Sequence, residues 1–260
     1  MNEQKYLGYI IDLDGTIYLG KNKIPEAAGF INRLLKEKIN FRLVTNNTTR
    51  TPAAILEMLN KYHNIDVPIS SIYTAAKATA DYIEKNKIKK NPHIYIIGEN
   101  GLKTELYSRG FVYDEVNPDY VVIGLDQDVT YRKFEIATLA IENGAAFIGT
   151  NPDRVIPNEK GLVPSAGALI KLVEFAVNIK PIIIGKPNVI MLNLIAEELG
   201  IKKDNLILFG DNYNTDIKGG LNSDIDTALV LTGVSDKREL ANVERQPTYV
   251  LNNLGEWNFV

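Results

Sequence analysis

The chain contains no cysteine. Disulfides, thiolate nucleophiles, zinc–thiolate sites and iron–sulfur clusters are therefore excluded. Histidine is almost as scarce: His63 and His93 are the only two, too few for a multi-histidine metal site. Basic excess is missing as well. Lys and Arg number 29 against 32 Asp and Glu, a formal net charge of −3, so the composition does not favour nucleic-acid binding. No stretch approaches the ~20 apolar residues of a membrane helix. Residues 1–5 lead into a short apolar run that ends at Asp12, too short and too soon charged for a secretory signal. A cytoplasmic protein with no membrane partner is the expectation. Its chemistry falls to Asp, Glu, Lys, Ser, Thr or a cofactor.

What is present is enough for a substantial core. The chain has 260 residues, 45% of them apolar and 23% charged, which suits one large domain or two modest ones. Short β-branched runs at 7–11, 41–45, 94–97, 120–123, 146–148, 181–184, 206–209 and 227–231 read as strands. Most are almost wholly apolar, as parallel strands covered on both faces are. Between them, 25–37, 51–62, 131–143, 166–177, 187–199 and 215–222 carry helical patterns. Alternating β and α predicts an α/β fold with mainly parallel sheets. Many strands end in small or polar residues, where open parallel sheets place their ligands. The Lys/Asn-rich stretch 84–92 is either a solvated loop or a domain hinge.

Asp12-Leu13-Asp14-Gly15-Thr16 follows the first strand directly. Two carboxylates two residues apart can serve one site, one as nucleophile and the other as acid/base. A capped turn is the bland alternative. Gly210-Asp211-Asn212 also follows an apolar strand, and Asp216 lies five residues beyond Asp211. If the two strands are neighbours, Asp12, Asp14 and Asp211 converge, and oxygen donors so placed suit a hard cation such as Mg2+. Carboxylates that close without a cation would repel one another. Thr45-Asn46 ends another strand and offers donors for anionic oxygens. Lys186, in Gly185-Lys186-Pro187-Asn188, is a surface lysine or a site cation that screens a phosphoryl group.

These four motifs, in this order, resemble the signature of the haloacid dehalogenase (HAD) superfamily of phosphatases. The strings Leu43 to Thr51, Gly149-Thr150-Asn151-Pro152-Asp153 and Gly185 to Asn188 resemble the subclass IIA, NagD-like or p-nitrophenyl-phosphatase-type branch. The resemblance covers almost the whole chain. It implies a Rossmann-like doubly wound parallel-sheet core, residues 1–81 and 180–260, with a large inserted α/β (C2-type) cap at 82–179 that closes over the site. It also implies a role for each motif residue. Asp12 would be the nucleophile, forming an aspartyl-phosphate, and Asp14 the acid/base. Thr45, Asn46, Asn47 and Lys186 would hold or neutralise the phosphoryl group. Asp12, the backbone carbonyl of Asp14, and Asp211 would hold Mg2+, with Asp216 and Asn212 supporting from behind.

The function implied is a Mg2+-dependent phosphoric monoester hydrolase. Its substrate would be a small phosphorylated metabolite, a sugar or acid-sugar phosphate, and a homodimer is compatible with the branch. Two alternatives come from other classes. One is a phospho-accepting receiver-like signalling module, against which Asp14 and the length of the chain argue. The other is a non-catalytic sugar-phosphate binding protein, against which the intact motif carboxylates argue. Residues 149–153 and 161–167 read equally as turns or as substrate contacts. His63 and His93 read as loop or helix-end residues, and Trp257 as packing.

Overall fold

The computed structural model describes residues 5–87 and 89–259, so Ile88, within the stretch considered as a hinge, lies outside the described residues. The chain divides into two compact units. The first comprises residues 1–45, 52–73 and 186–260; the second comprises 46–51 and 74–185.

In chain order the strands begin with β1 (Gly8–Asp12), β2 (Tyr18–Leu19), β3 (Asn22–Lys23), β4 (Asn40–Thr45) and β5 (Ile72–Thr74). They continue with β6 (His93–Ile97), β7 (Val112–Tyr113), β8 (Tyr120–Ile123), β9 (Ala146–Gly149), β10 (Val155–Asn158) and β11 (Gly161–Pro164). The last are β12 (Ile182–Ile183), β13 (Leu206–Gly210), β14 (Asp226–Val230) and β15 (Tyr249–Leu251).

The first unit is built on a six-stranded sheet in the order β15-β14-β13-β1-β4-β5. β1 pairs in parallel with both β13 and β4, and β13–β14 and β14–β15 are parallel too. Every residue of β1 and β13 is buried, which explains why their sequences are continuous apolar runs rather than alternating ones. On one face lies helix α1 (Pro25–Lys36). It starts with proline at a first-turn position, where the missing N–H costs nothing. Ala27, Phe30, Ile31 and Leu34 form its buried stripe. Trp257 is buried edge-on to Phe209 at 5.0 Å, and its indole N–H donates to the Tyr9 hydroxyl at 3.3 Å. The lone tryptophan is packing, as expected.

The second unit has its own five-stranded sheet, β12-β9-β8-β6-β7, parallel throughout. An antiparallel hairpin of β10 and β11 accompanies it. Its core runs through Tyr95, Ile97, Val121, Ile123, Phe147 and Ile170. No helix among the described residues is long and apolar enough to cross a membrane.

The structure differs from the sequence reading at several places. The run 181–184 shrinks to the two residues of β12, which pair with β9 in the second unit's sheet. An apolar strand satisfies the patterning of either parallel sheet, so pattern alone cannot assign it. The chain passes between the two units at 45/46, 51/52, 73/74 and 185/186. A helix over Ala75–Asn86, not expected from the pattern, belongs to the second unit. Its alanine-rich face is buried, and the Thr74 side chain caps it by accepting from the Lys77 amide at 3.1 Å. The helix expected at 51–62 is α-helical only over Pro52–Met58 and continues as a π-turn over Leu59–His63. That expected at 215–222 likewise begins as a π-turn, Tyr213–Ile217.

Candidate active site

β1 is where the first unit's sheet changes direction: β4 lies on one side and β13 on the other. Ligands of open α/β sheets bind at the carboxyl ends of strands at such a switch point. Asp12 is the last residue of β1. It pairs in register with Val44, so Thr45 stands one residue further along. On the other side Ile11 pairs with Phe209, so the next step aligns Asp12 with Gly210. Asp211 is therefore one residue beyond Asp12, not level with it, which lets both carboxylates reach one point.

They do meet. Carboxylate oxygens of Asp12, Asp211 and Asp216, all buried, lie within 4.8 Å of one another. Lys186 is 1% exposed, and its Nζ donates to Asp12 Oδ1 and to Asp216 Oδ1, each at 2.6 Å. Asp216 Oδ2 accepts from the Asn212 amide at 3.1 Å. Asn212 in turn accepts from the Asn214 amide and opens the π-turn that carries Asp216. A Cβ at Gly210 would overlap the Asp216 side chain, so glycine there permits the approach.

The electrostatics are unbalanced. Burial pushes the Asp12 pKa up; the Lys186 ammonium opposes this, while Asp216 and Asp211 add to it. Asp211 is pushed up to about 7, first by burial and then by Asp216. For Lys186, burial alone would lower the pKa, but Asp12 and Asp216 outweigh it and keep the ammonium charged. Three buried carboxylates thus share one buried cation. Such a set has the charge and the oxygen donors that a divalent cation requires. The residues fit Mg2+ on this ground: Lys186 takes one oxygen of Asp12 and none of Asp211, while both oxygens of Asp216 are engaged, by Lys186 and the Asn212 amide.

Asp14 is exposed just past the strand end, where the loop turns back. The Gly15 amide donates to the Tyr18 carbonyl at 2.7 Å, and Gly15 has φ +92°, a conformation glycine adopts freely. Thr45 is buried at the end of β4. Asn46 and Asn47 fall in the second unit. The Asn46 side-chain amide donates to both oxygens of Asp153, at 3.2 and 3.3 Å, and the Asn46 backbone carbonyl accepts from the Asn151 side-chain amide at 2.8 Å. Asn47 Oδ1 accepts from the Thr49 amide and hydroxyl, each at 2.8 Å, which stiffens its own turn. The expected site residues of the first unit thus lie about the ends of β1, β4 and β13, whereas Asn46 and Asn47 belong to the second unit, where Asn46 is tied to the Asn151–Asp153 turn.

Sequence reasoning missed the turn at 232–235. Thr232, Val234 and Ser235 hydrogen-bond to Gly15, Asp211 and Tyr213. The available signal was a polar Thr-Gly-Val-Ser cluster after an apolar run, the same pattern that marked the other strand ends. His63 ends its π-turn but is buried, stacked on Tyr18 at 4.8 Å with burial lowering its pKa; it is a packing residue.

Comparison with known proteins identifies the family. A model of haloacid dehalogenase-like hydrolases matches residues 9–112, and a second HAD-hydrolase-like model matches 183–257. The acid sugar phosphatase of Staphylococcus epidermidis is 45% identical over 96% of this chain and 95% of its own length. The 5'-nucleotidase YutF of Bacillus subtilis is 39% identical over 97% of each. Among solved structures, a variant of the thermostable p-nitrophenylphosphatase from Bacillus stearothermophilus superposes with a TM-score of 0.89 at 41% identity, covering 99% of this chain and 100% of that one. The chain belongs to the haloacid dehalogenase-like hydrolases. Within them it falls in the p-nitrophenylphosphatase-type branch, as a phosphoric monoester hydrolase.

Proposed function

We propose that the protein is a Mg2+-dependent phosphatase of small phosphorylated metabolites, acid-sugar or sugar phosphates, acting through an aspartyl-phosphate. The observation that carries this reading is the buried Lys186 between Asp12 and Asp216, with Asp211 beside them. An ammonium held there opposes the rise that burial imposes on the Asp12 pKa, while leaving the cluster short of positive charge.

In the first half-reaction a carboxylate oxygen of Asp12 attacks phosphorus, and the bond from phosphorus to the leaving oxygen breaks. Asp14, exposed at the turn, gives that oxygen its proton. In the second, Asp14 takes a proton from water, the water oxygen attacks phosphorus, and the bond to Asp12 breaks to release inorganic phosphate. Thr45 and Lys186 receive the phosphoryl oxygens during both steps. Asn46 and Asn47 join them in this reading, with Asp153 holding the Asn46 amide. Asp12, the Asp14 carbonyl and Asp211 would hold Mg2+, whose chemistry when bound is to neutralise charge on the transferring group. Asp216 and Asn212 position Lys186. The second unit takes the part of the cap.

The acid-sugar reading draws support from the name of the staphylococcal relative. The name of the Bacillus subtilis relative favours nucleoside monophosphates instead. Phosphate release from a panel containing both classes, with and without Mg2+, decides between them. Turnover by the wild type that requires Mg2+ and disappears in Asp12→Asn is the expected result. Metal-independent turnover, or an active Asp12→Asn variant, overturns the proposed route.

A further inference from the structure

The turn that follows β14 crosses the end of β13 to reach the loop after β1, a path set by the strand order β14-β13-β1. It touches the site at four points. The Thr232 hydroxyl donates to the Gly15 carbonyl at 2.6 Å. The Val234 amide donates to Asp211 Oδ2 at 2.7 Å. The Ser235 amide donates to the Asp211 carbonyl at 3.0 Å, and the buried Ser235 hydroxyl accepts from the Tyr213 amide at 2.8 Å. Gly233 lies so close to Asp211 that a Cβ there would overlap the carboxylate. None of this is needed to close β14, whose ladder with β15 ends at Val230.

We infer that residues 232–235 form a positioning strap for the cation site, clamping the Asp211 carboxylate and the Gly15 peptide in a fixed relation. The Val234 amide occupies one oxygen of Asp211 and thereby sets which way the other faces. The Thr232 hydroxyl and the Gly15-to-Tyr18 bond together hold the two peptides flanking Gly15, one of which carries the Asp14 carbonyl. A pair of ligands from strands β1 and β13 is preorganised by a turn from a third strand. Ligands fixed in advance bind a cation more tightly than ligands that must be ordered on binding. The inference rests on the cation reading proposed above.

The test is Mn2+ binding to the metal-free protein, read from the loss of the free-ion paramagnetic resonance signal. It is run on wild type, Asp211→Asn, Thr232→Val, Thr232→Ser and Gly233→Ala. Wild type binds and Asp211→Asn does not. Thr232→Val, which keeps the shape and removes the donor, weakens binding about three- to tenfold, the range for one hydrogen bond. Thr232→Ser restores it to within about twofold. Gly233→Ala, at an exposed position with no left-handed backbone, displaces the carboxylate itself and weakens binding more than tenfold, roughly. In turnover, Thr232→Val raises the Mg2+ concentration for half-maximal rate while the rate at saturating Mg2+ stays near wild type. A merely structural threonine would lower stability without this split. Should Thr232→Val fail to fold, Gly233→Ala carries the test. Equal Mn2+ affinity in both variants and wild type overturns the strap, as does a Thr232→Ser variant as weak as Thr232→Val. If wild type itself binds no Mn2+, the cation reading falls and the strap with it, a result distinct from silent variants.

Discussion

Two parallel sheets of apolar strands sit in one chain, and both end their strands in acidic residues, yet they treat those residues differently. In the second unit each strand-end carboxylate is matched. Asp126 receives the Lys133 ammonium at 2.7 Å and the Asp128 amide at 3.0 Å. Glu99 receives the Gln127 side chain, and Asp153 receives Asn46. In the first unit Asp12 and Asp216 share a single ammonium, with the Asp211 carboxylate beside them. Acidic strand ends are thus a general product of an open parallel sheet. The mark of chemistry is buried charge left uncompensated, because folding alone selects against it.

The largest test of this contrast is chemical. Asp12→Asn is expected to lower kcat by at least about a thousandfold, since it removes a nucleophile. Asp126→Asn, the matched counterpart, is expected to leave kcat within a few fold. Comparable losses in steady-state phosphate release would erase the distinction.

Next in size is stability. Lys186→Met leaves Asp12 and Asp216 buried without their partner, at a cost of about 3–5 kcal/mol in metal-free denaturant unfolding. Lys133→Met removes a cation whose side chain is 32% exposed from a buried Asp126 that keeps the Asp128 amide, and its cost is expected to be smaller, about 1–2 kcal/mol. An equal drop in both would show that the two clusters are energetically alike.

The third concerns pH and metal. Asp211, pushed up to about 7 from the usual 3.8 of an aspartate, holds more protons in the folded chain than in the unfolded one between those values. Metal-free stability is therefore expected to fall as pH rises from 5 to 8, by up to about 3 kcal/mol for that one group. Added Mg2+ binds the ionised form, so its stabilising effect is expected to be larger at pH 8 than at pH 5. Thermal melts in Mg2+ and in chelator, compared with Asp211→Asn, measure this. A metal-free protein that gains stability across the range would contradict it.

The smallest effect belongs to the second unit's surface. Hydrogen bonds from the His93 ring, then from the Val116 and Asn117 amides, hold Asp114 down to about 2. His93→Ala is expected to move the Asp114 titration, followed by carboxyl NMR, back toward the usual range. The melting temperature should barely change, since the carboxylate is exposed. A substantial loss of stability would mean that exposed matched pairs carry more than this contrast allows.

The local and serial features of this protein were legible in its sequence. Apolar runs declared buried parallel strands, the helical pattern of 25–37 declared a helix, and Asp12, Asp14, Lys186 and Asp211 stood at strand ends in a recognisable order, because each property depends on a few neighbouring residues. Other features belong to the tertiary structure alone. The pattern of 181–184 fits either sheet, and only pairing with β9 placed it in the second. The alanine-rich helix Ala75–Asn86 lacks a strong apolar stripe and is settled by what it packs against. The partners of Asn46 are Asn151 and Asp153, more than a hundred residues away. The turn at 232–235 looked like one polar cluster among many until strand order carried it across Asp211. A residue's conformational preferences and burial are written in its neighbours. Which charges end up sharing one buried space depends on how strands from distant parts of the chain lie side by side.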